Sequence, residues 1–330
     1  MESYIKNDHV GFNFGFEFYN GKQLFKNRWT YQIFEEEVAK MRAANLITDD
    51  DLKIVRFIFK YKIATASIIR DLINPEASVA TAKGWLEKLL KNRFLNKFMI
   101  SAFPTDEYKD DALDFYCLDI GGKKLLSHYG DATDEIEKWN TSVPMMSVSK
   151  ITEALVSADF YVQLQKNCGG NLLYMKSNPQ YRKVKEPVSA NFEFAIRKNV
   201  SKKDAEPSYE TKYFICVIVR EANLLPDFQD TIARVDDLVT SNAWKRYFYD
   251  EQSNPPVVIV LAENDNVALS AAKIVDNRTS IKAIRYTTDD RIHNDMSGKA
   301  SFMKFVAANE DEKHPEPHLA FVKTSVFSKD

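Results

Sequence analysis

Residues 78–92 read SVATAKGWLEKLLKN. Wound as a helix, Val79, Ala82, Leu86, Leu89 and Leu90 fall on one apolar stripe. Ala80, Thr81, Gly84, Lys88 and Lys91 fall on the far side, with Glu87 at its edge. The stripe decides which face is buried. The outer face opens with small residues, which let a backbone or a groove approach closely, and closes in lysines. Arg93 and Lys97 follow directly, so residues 78–97 set five cations (Lys83, Lys88, Lys91, Arg93 and Lys97) against Glu87. Alone, the segment reads equally as an ordinary amphipathic surface helix, so its neighbours carry the decision.

Upstream, Thr48 and three aspartates precede LKIVRFIFKYK. Thr48 or Asp49 caps the orphan amides of a helix start, and the other acids oppose its dipole. Leu52, Val55, Ile58 and Phe59 form the inner stripe of that helix, and Ile54 and Phe57 widen it. Thr65 caps a short helix, ASIIRDLI, which Asn74-Pro75 ends. Two short helices on a tight turn, the second with a basic outer face, form the helix-turn-helix pattern. After Asn92 the period changes. Residues 94–103 and 113–118 are rich in aromatic and branched side chains, with PTDEYKDDA between them, which predicts a β-hairpin with a long tip. IGGKKLLSHYG closes the module as a helix. Residues 46–130 therefore predict a winged helix-turn-helix. That fold usually contacts DNA, although some examples dock only proteins. The basic helix suits phosphate neutralisation, whereas Asp106, Glu107, Asp110 and Asp111 at the wing tip would be repelled by a phosphate backbone.

The chain of 330 residues is long enough for two cores. A net charge of −2 gives no global attraction to nucleic acid, so any such contact comes from a local patch. Cys117, Cys168 and Cys216 lie far apart with no C-x-x-C pair, which argues against a disulfide framework or a cysteine zinc site and fits a reducing cytoplasm. No apolar run reaches the roughly 18 residues that span a bilayer, and the start MESYIKNDHV lacks the order of a signal peptide.

Within residues 1–45, read as a strand and helix extension, Val10, Phe12, Phe14, Phe16 and Phe18 alternate with polar or glycine residues before the turn Asn20-Gly21. This places Phe12, Phe14, Phe16 and Phe18 on one face, either laid over a core or serving as a partner-docking ledge. Residues 131–147 read as a linker. Residues 148–290 then run helix, three strands, helix, strand, helix, strand, which predicts an α/β domain with a mixed sheet. FICVIV (214–219) is apolar throughout, as in a central strand covered on both faces. Asp289-Asp290 read as solvated acids at a strand end, and residues 291–330 as a polar, loosely held tail.

TDDDLKIVRFIFKYKIATASIIRDLI (48–73), WLEKLLKNRFLNKF (85–98) and SADFYVQLQKN (157–167) resemble the replication-relaxation family of bacterial plasmids and integrative elements. The resemblance covers roughly residues 46–290. It implies a winged helix followed by a domain similar to the restriction-endonuclease fold, hence an overall α+β and α/β architecture. It further implies a cytoplasmic DNA-binding protein in replication, maintenance or its regulation. On the helix-turn-helix reading, Thr81, Lys83, Gly84, Lys88, Lys91, Arg93 and Lys97 would meet double-stranded DNA. A homodimer is expected because one recognition helix reads too few base pairs for tight specific binding, with a replication or partition protein as a further partner and no membrane.

Family members carry an acid after a proline on one strand and an acidic pair on the next. Here PVSANFEF has Asn191 at the first position and Glu193 two places on, and YFICVIVRE has no acid before Glu221. Phosphodiester cleavage needs carboxylates converging on Mg²⁺. Glu153, Glu193 and Glu221 are the candidates for such a nuclease or nickase; otherwise they are solvent-facing charges, the sheet domain has no working catalytic site, and no cofactor is needed. A protein-binding adaptor built on the phenylalanine strand is the remaining alternative.

Overall fold

The computed structural model describes residues 22–25, 34–101, 113–131, 134–140, 146, 148–182, 187–199, 209–221, 227–248, 254–281, 283–298, 300–308 and 315–322. The phenylalanine strand and the tip PTDEYKDDA lie outside the described residues. The chain divides into two compact units, Met1–Val162 and Gln163–Asp330.

The first unit contains β1 (Lys22–Phe25), α1 (Glu35–Ala43), α2 (Asp49–Tyr61), β2 (Ile63–Ala64), α3 (Ala66–Ile73), α4 (Val79–Lys91), β3 (Leu95–Ser101), β4 (Leu113–Leu118), α5 (Ile120–His128) and α6 (Asp134–Lys138). Its helices start where capping residues stand. Thr48 Oγ1 accepts from the Asp51 amide at 3.2 Å, and the Asp51 carboxylate accepts from the Thr48 amide at 2.8 Å. That reciprocal pair satisfies two orphan donors of α2. Thr65 and Ser78 cap α3 and α4 through the amides of Ile68 and Thr81. The end of α4 is less usual. Arg93 sits at φ +61°, so its amide reaches the Leu90 carbonyl and the Phe94 amide reaches the Leu89 carbonyl, each at 3.0 Å. This closure normally uses glycine, because a Cβ is strained in the left-handed region. Phe94 and Leu89, joined by that backbone bond, are both buried.

These helices enclose one side of an antiparallel sheet of order β1-β3-β4-β2. β3 and β4 pair from Leu95↔Leu118 to Ile100↔Leu113, which puts Phe98 opposite Phe115 with ring centroids 5.4 Å apart. Ile58, Ile68, Ile69, Leu86, Phe98 and Phe115 have no exposed surface. In α2, Ile54 and Phe57 are buried and Phe59 only half so, because β4 and α3 cover a broader face than one stripe. Gly122 allows α5 to approach closely: a Cβ there would collide with the Phe94 carbonyl oxygen and with Leu118 Cδ1.

Helix α7 (Val148–Cys168) runs across the division between the units. The second unit continues with β5 (Leu172–Ser177), β6 (Gln180–Tyr181), β7 (Val188–Ser189), β8 (Phe192–Asn199), β9 (Tyr209–Val219), α8 (Asp227–Thr240), β10 (Val257–Ala262), α9 (Asp265–Arg278), β11 (Ile284–Thr288), α10 (Asp289–Asp295), β12 (Met303–Val306) and β13 (His318–Phe321). Seven of these strands form a mixed sheet of order β13-β12-β11-β10-β9-β8-β5. The core strands β9, β10 and β11 are parallel, and the flanking pairs are antiparallel.

β9 is central, as its apolar run predicts. One of its faces, with Ile215, Val217 and Val219, joins a core with Val258, Val260, Ile232, Val235, Ala271 and Trp244. Its other face carries Phe214 and Cys216, with Phe214 stacked on Phe194 at 4.5 Å. The stretch beyond Asp290, expected as a loose tail, instead adds α10, β12 and β13 to this unit. Met303 and Val306 are buried in a four-residue strand that pairs with β11 and β13. Strands this short leave little periodic signal among polar neighbours. No helix of the described residues is long and apolar enough to cross a membrane.

Candidate functional site

The outer face of α4 forms much as its stripe requires. Ala82, Leu86, Leu89 and Leu90 are buried, Thr81, Gly84, Glu87 and Lys91 are exposed, and Lys83, Lys88 and Arg93 are half-buried. A Cβ built on Gly84 would meet nothing within 4 Å, so the backbone is open to solvent there. The Thr81 hydroxyl lies 2.9 Å from Ser78 Oγ, within the cap itself.

The cations of this face are less available than their spacing suggests. Lys88 is paired with Asp51, the same carboxylate that caps α2. Lys97 is only 14% exposed, with Nζ 3.2 Å from Asp114 and 3.5 Å from Glu87. Its ammonium therefore ties β3 to β4 and α4 instead of standing clear towards a duplex. Burial pushes the Asp119 carboxyl up to about 6, against the pull of the Ile120 amide and of the nearby Arg93 guanidinium. Arg93 thus also has an acid beside it. Five cations face four carboxylates (Asp51, Glu87, Asp114 and Asp119), and the patch is close to neutral.

Of the three candidate catalytic glutamates, Glu153 belongs to the first unit, and Glu193 and Glu221 belong to the second, where they stand apart. Glu193 stands opposite Ile215, four residues before the end of β9 at Val219, which at ~3.3 Å per residue is ~13 Å of strand, and Glu221 lies beyond that end. Glu193 is buried, accepts a hydrogen bond from the Tyr181 hydroxyl, and has its pKa raised by burial. Glu221 is exposed.

A different set of charges gathers in the second unit. Val219, Ala262 and Thr288 lie side by side across β9, β10 and β11. One residue further along are Arg220, Glu263 and Asp289, all buried. Arg220 Nη2 lies 3.0 Å from Asp289 Oδ1. Glu263 Oε1 accepts from the Glu221 amide at 3.3 Å, while its Oε2 is buried with no hydrogen-bond partner. Burial raises the Glu263 pKa, opposed by Arg220. Asp289, expected to be solvated, is therefore part of a buried ionic row. Its signal in the sequence was only that each of the three strands is followed directly by an ionisable residue. Such rows occupy the strand ends where α/β sheets often bind ligands.

Beside the row, a cleft of about 550 Å³ is lined by Asn264, Asp265, Thr288, Asp290, Arg291 and Ser301, among others. Arg291 closes one wall by a bidentate pair with Asp265, at 3.1 and 2.8 Å, and by donating to the Ala300 carbonyl. No group of three or more His, Cys, Asp or Glu among the described residues is placed to hold a metal ion. No protein-family model, curated protein or solved structure matches the chain.

Proposed function

We propose that the chain is a cytoplasmic DNA-binding protein of a plasmid, phage or integrative element, acting in replication, maintenance or its regulation. The first unit acts as a winged helix-turn-helix, with α4 as the helix that enters the major groove. The single observation that carries this reading is the outer face of α4. It is the second helix of a tight pair, backed by the β3–β4 hairpin, and its open Gly84 is followed one turn or two later by lysines. A groove wall can approach the backbone at Gly84 while Lys83, Lys91 and Arg93 reach phosphates. The family resemblance of residues 48–73, 85–98 and 157–167 supplies the biological setting.

The second unit, with its mixed sheet, serves as the degenerate relative of a restriction-endonuclease domain and mediates self-association or contact with a replication or partition protein. A homodimer suits the reading, since one helix reads too few base pairs for tight specific binding. The register that parts Glu193 from Glu221 supports a binding role over a Mg²⁺-dependent nuclease.

The test is to sequence the DNA that co-purifies with the protein, then to measure binding to that DNA. Lys83→Glu with Lys91→Glu should weaken binding steeply and flatten its dependence on salt. Unchanged binding rejects this face of α4, and absence of any enriched DNA favours the protein-docking alternative.

A further inference from the structure

Resting on that DNA-binding reading, we infer that Asp51, Glu87 and Asp114 form a charge filter that holds Lys88 and Lys97 away from phosphates and suppresses binding to arbitrary DNA. Lys97 is the stronger case. A lysine on a short hairpin next to a DNA-facing helix ordinarily extends its ammonium to solvent; this one is 14% exposed and bridged to two carboxylates from different elements, Glu87 on α4 and Asp114 on β4. Its Nζ also lies 5.8 Å from the Tyr116 ring centroid, which adds a weak attraction inward. Lys88 is held by an acid that cannot swing away, because Asp51 is itself fixed by the Thr48 amide.

Non-specific affinity for a duplex comes almost wholly from counterion release, with a log–log salt slope of about −0.9 for each phosphate neutralised. Each of the two cations withheld takes about 0.9 from that slope, about 1.8 together. The filter therefore removes attraction that every duplex would share, and leaves contacts at Thr81 and Gly84 that depend on the groove presented. Affinity for every duplex falls alike, so arbitrary DNA is left weakly bound and occupancy rests on the contacts that the correct site adds.

The experiment is a cycle on Lys97, read by fluorescence anisotropy with a random-sequence duplex between 50 and 200 mM KCl. Four proteins are compared: wild type, Lys97→Gln, Glu87→Gln with Asp114→Asn, and the triple variant. Simple addition of charge would make Lys97→Gln act equally in both backgrounds. The filter predicts otherwise: in the wild type Lys97→Gln leaves the slope unchanged, and in the Glu87→Gln, Asp114→Asn background it flattens the slope by about 0.9. That background should itself bind random DNA several-fold more tightly at 50 mM salt. Equal effects of Lys97→Gln in the two backgrounds overturn the filter while leaving the DNA reading intact. No binding of any duplex by any of the four sinks the DNA reading itself. Glu87→Gln alone, at an exposed side chain, repeats the comparison if the double variant does not fold.

Discussion

Replacing Arg220 by Met tests whether the row across β9, β10 and β11 is held by charge. Met keeps much of the aliphatic volume, so packing changes little while the cation is lost. Arg220 and Asp289 have side chains 8% and 7% exposed and are 3.0 Å apart, and Glu263 behind them is 1% exposed. Removing one member of a buried pair costs about 3–5 kcal/mol, because the remaining charge is left without compensation. Here two buried carboxylates remain, Asp289 and Glu263. Burial already raises Glu263, and loss of Arg220 raises it further. A carboxyl whose folded pKa lies above its unfolded one stabilises fully below the unfolded value, and that contribution is lost as pH rises through the folded one. Stability of the variant should therefore fall as pH rises above the ordinary glutamate range. Hydrogen exchange of β9–β11 peptides in increasing urea, at pH 5 and pH 8, reads this unit by itself. Adding Glu263→Gln and Asp289→Asn should restore a large part of the loss. A deficit below about 1 kcal/mol at pH 8, or one independent of pH, would refute the argument.

Two glycines on neighbouring helices should respond oppositely to the same change. Gly122→Ala forces a methyl into the Phe94 carbonyl and Leu118 and should cost about 1–3 kcal/mol, whereas Gly84→Ala meets nothing and should gain up to about 1 kcal/mol from helix propensity; urea melts of both variants check the sign. Asp119→Asn removes a carboxyl raised from 3.8 to about 6, whose favourable contribution is present below pH 3.8 and lost as pH rises through 6. The variant should thus exceed the wild type in stability by up to ~3 kcal/mol at pH 7.5 and match it near pH 4, as thermal unfolding at the two values will show.

Much of this architecture was readable along the chain because it rests on strong local signals. The caps Thr48, Thr65 and Ser78, the stripe of α4 and the apolar run of β9 each depend on a few adjacent residues. What escaped has a non-local cause. β2 is two residues long, and pairs with β4 only because α2 and α3 turn on either side of it. β12 and β13 sit in polar surroundings and are recruited by the exposed edge of β11. The charge of residues 78–97 was read from that stretch alone, yet Lys88 and Lys97 find their partners Asp51 and Asp114 on α2 and β4. Arg220, Glu263 and Asp289 were passed over singly; only strand register makes them neighbours. Conversely, Glu193 and Glu221, neighbours by strand order in the sequence, are parted by antiparallel pairing.

The two charged groupings use one device under opposite conditions, and that separates their roles. Lys88 and Lys97 pair with acids in sites only partly closed to water, since Lys88 is 42% and Glu87 49% exposed, so these pairs are weaker than a fully buried one and are partly screened by salt. Arg220 pairs with Asp289 in a site closed to water, where separating the charges costs several times more. It cannot open in each binding event without opening the sheet. The row in the second unit therefore fixes how its three parallel strands end, and a ligand bound beside it would meet a rigid wall.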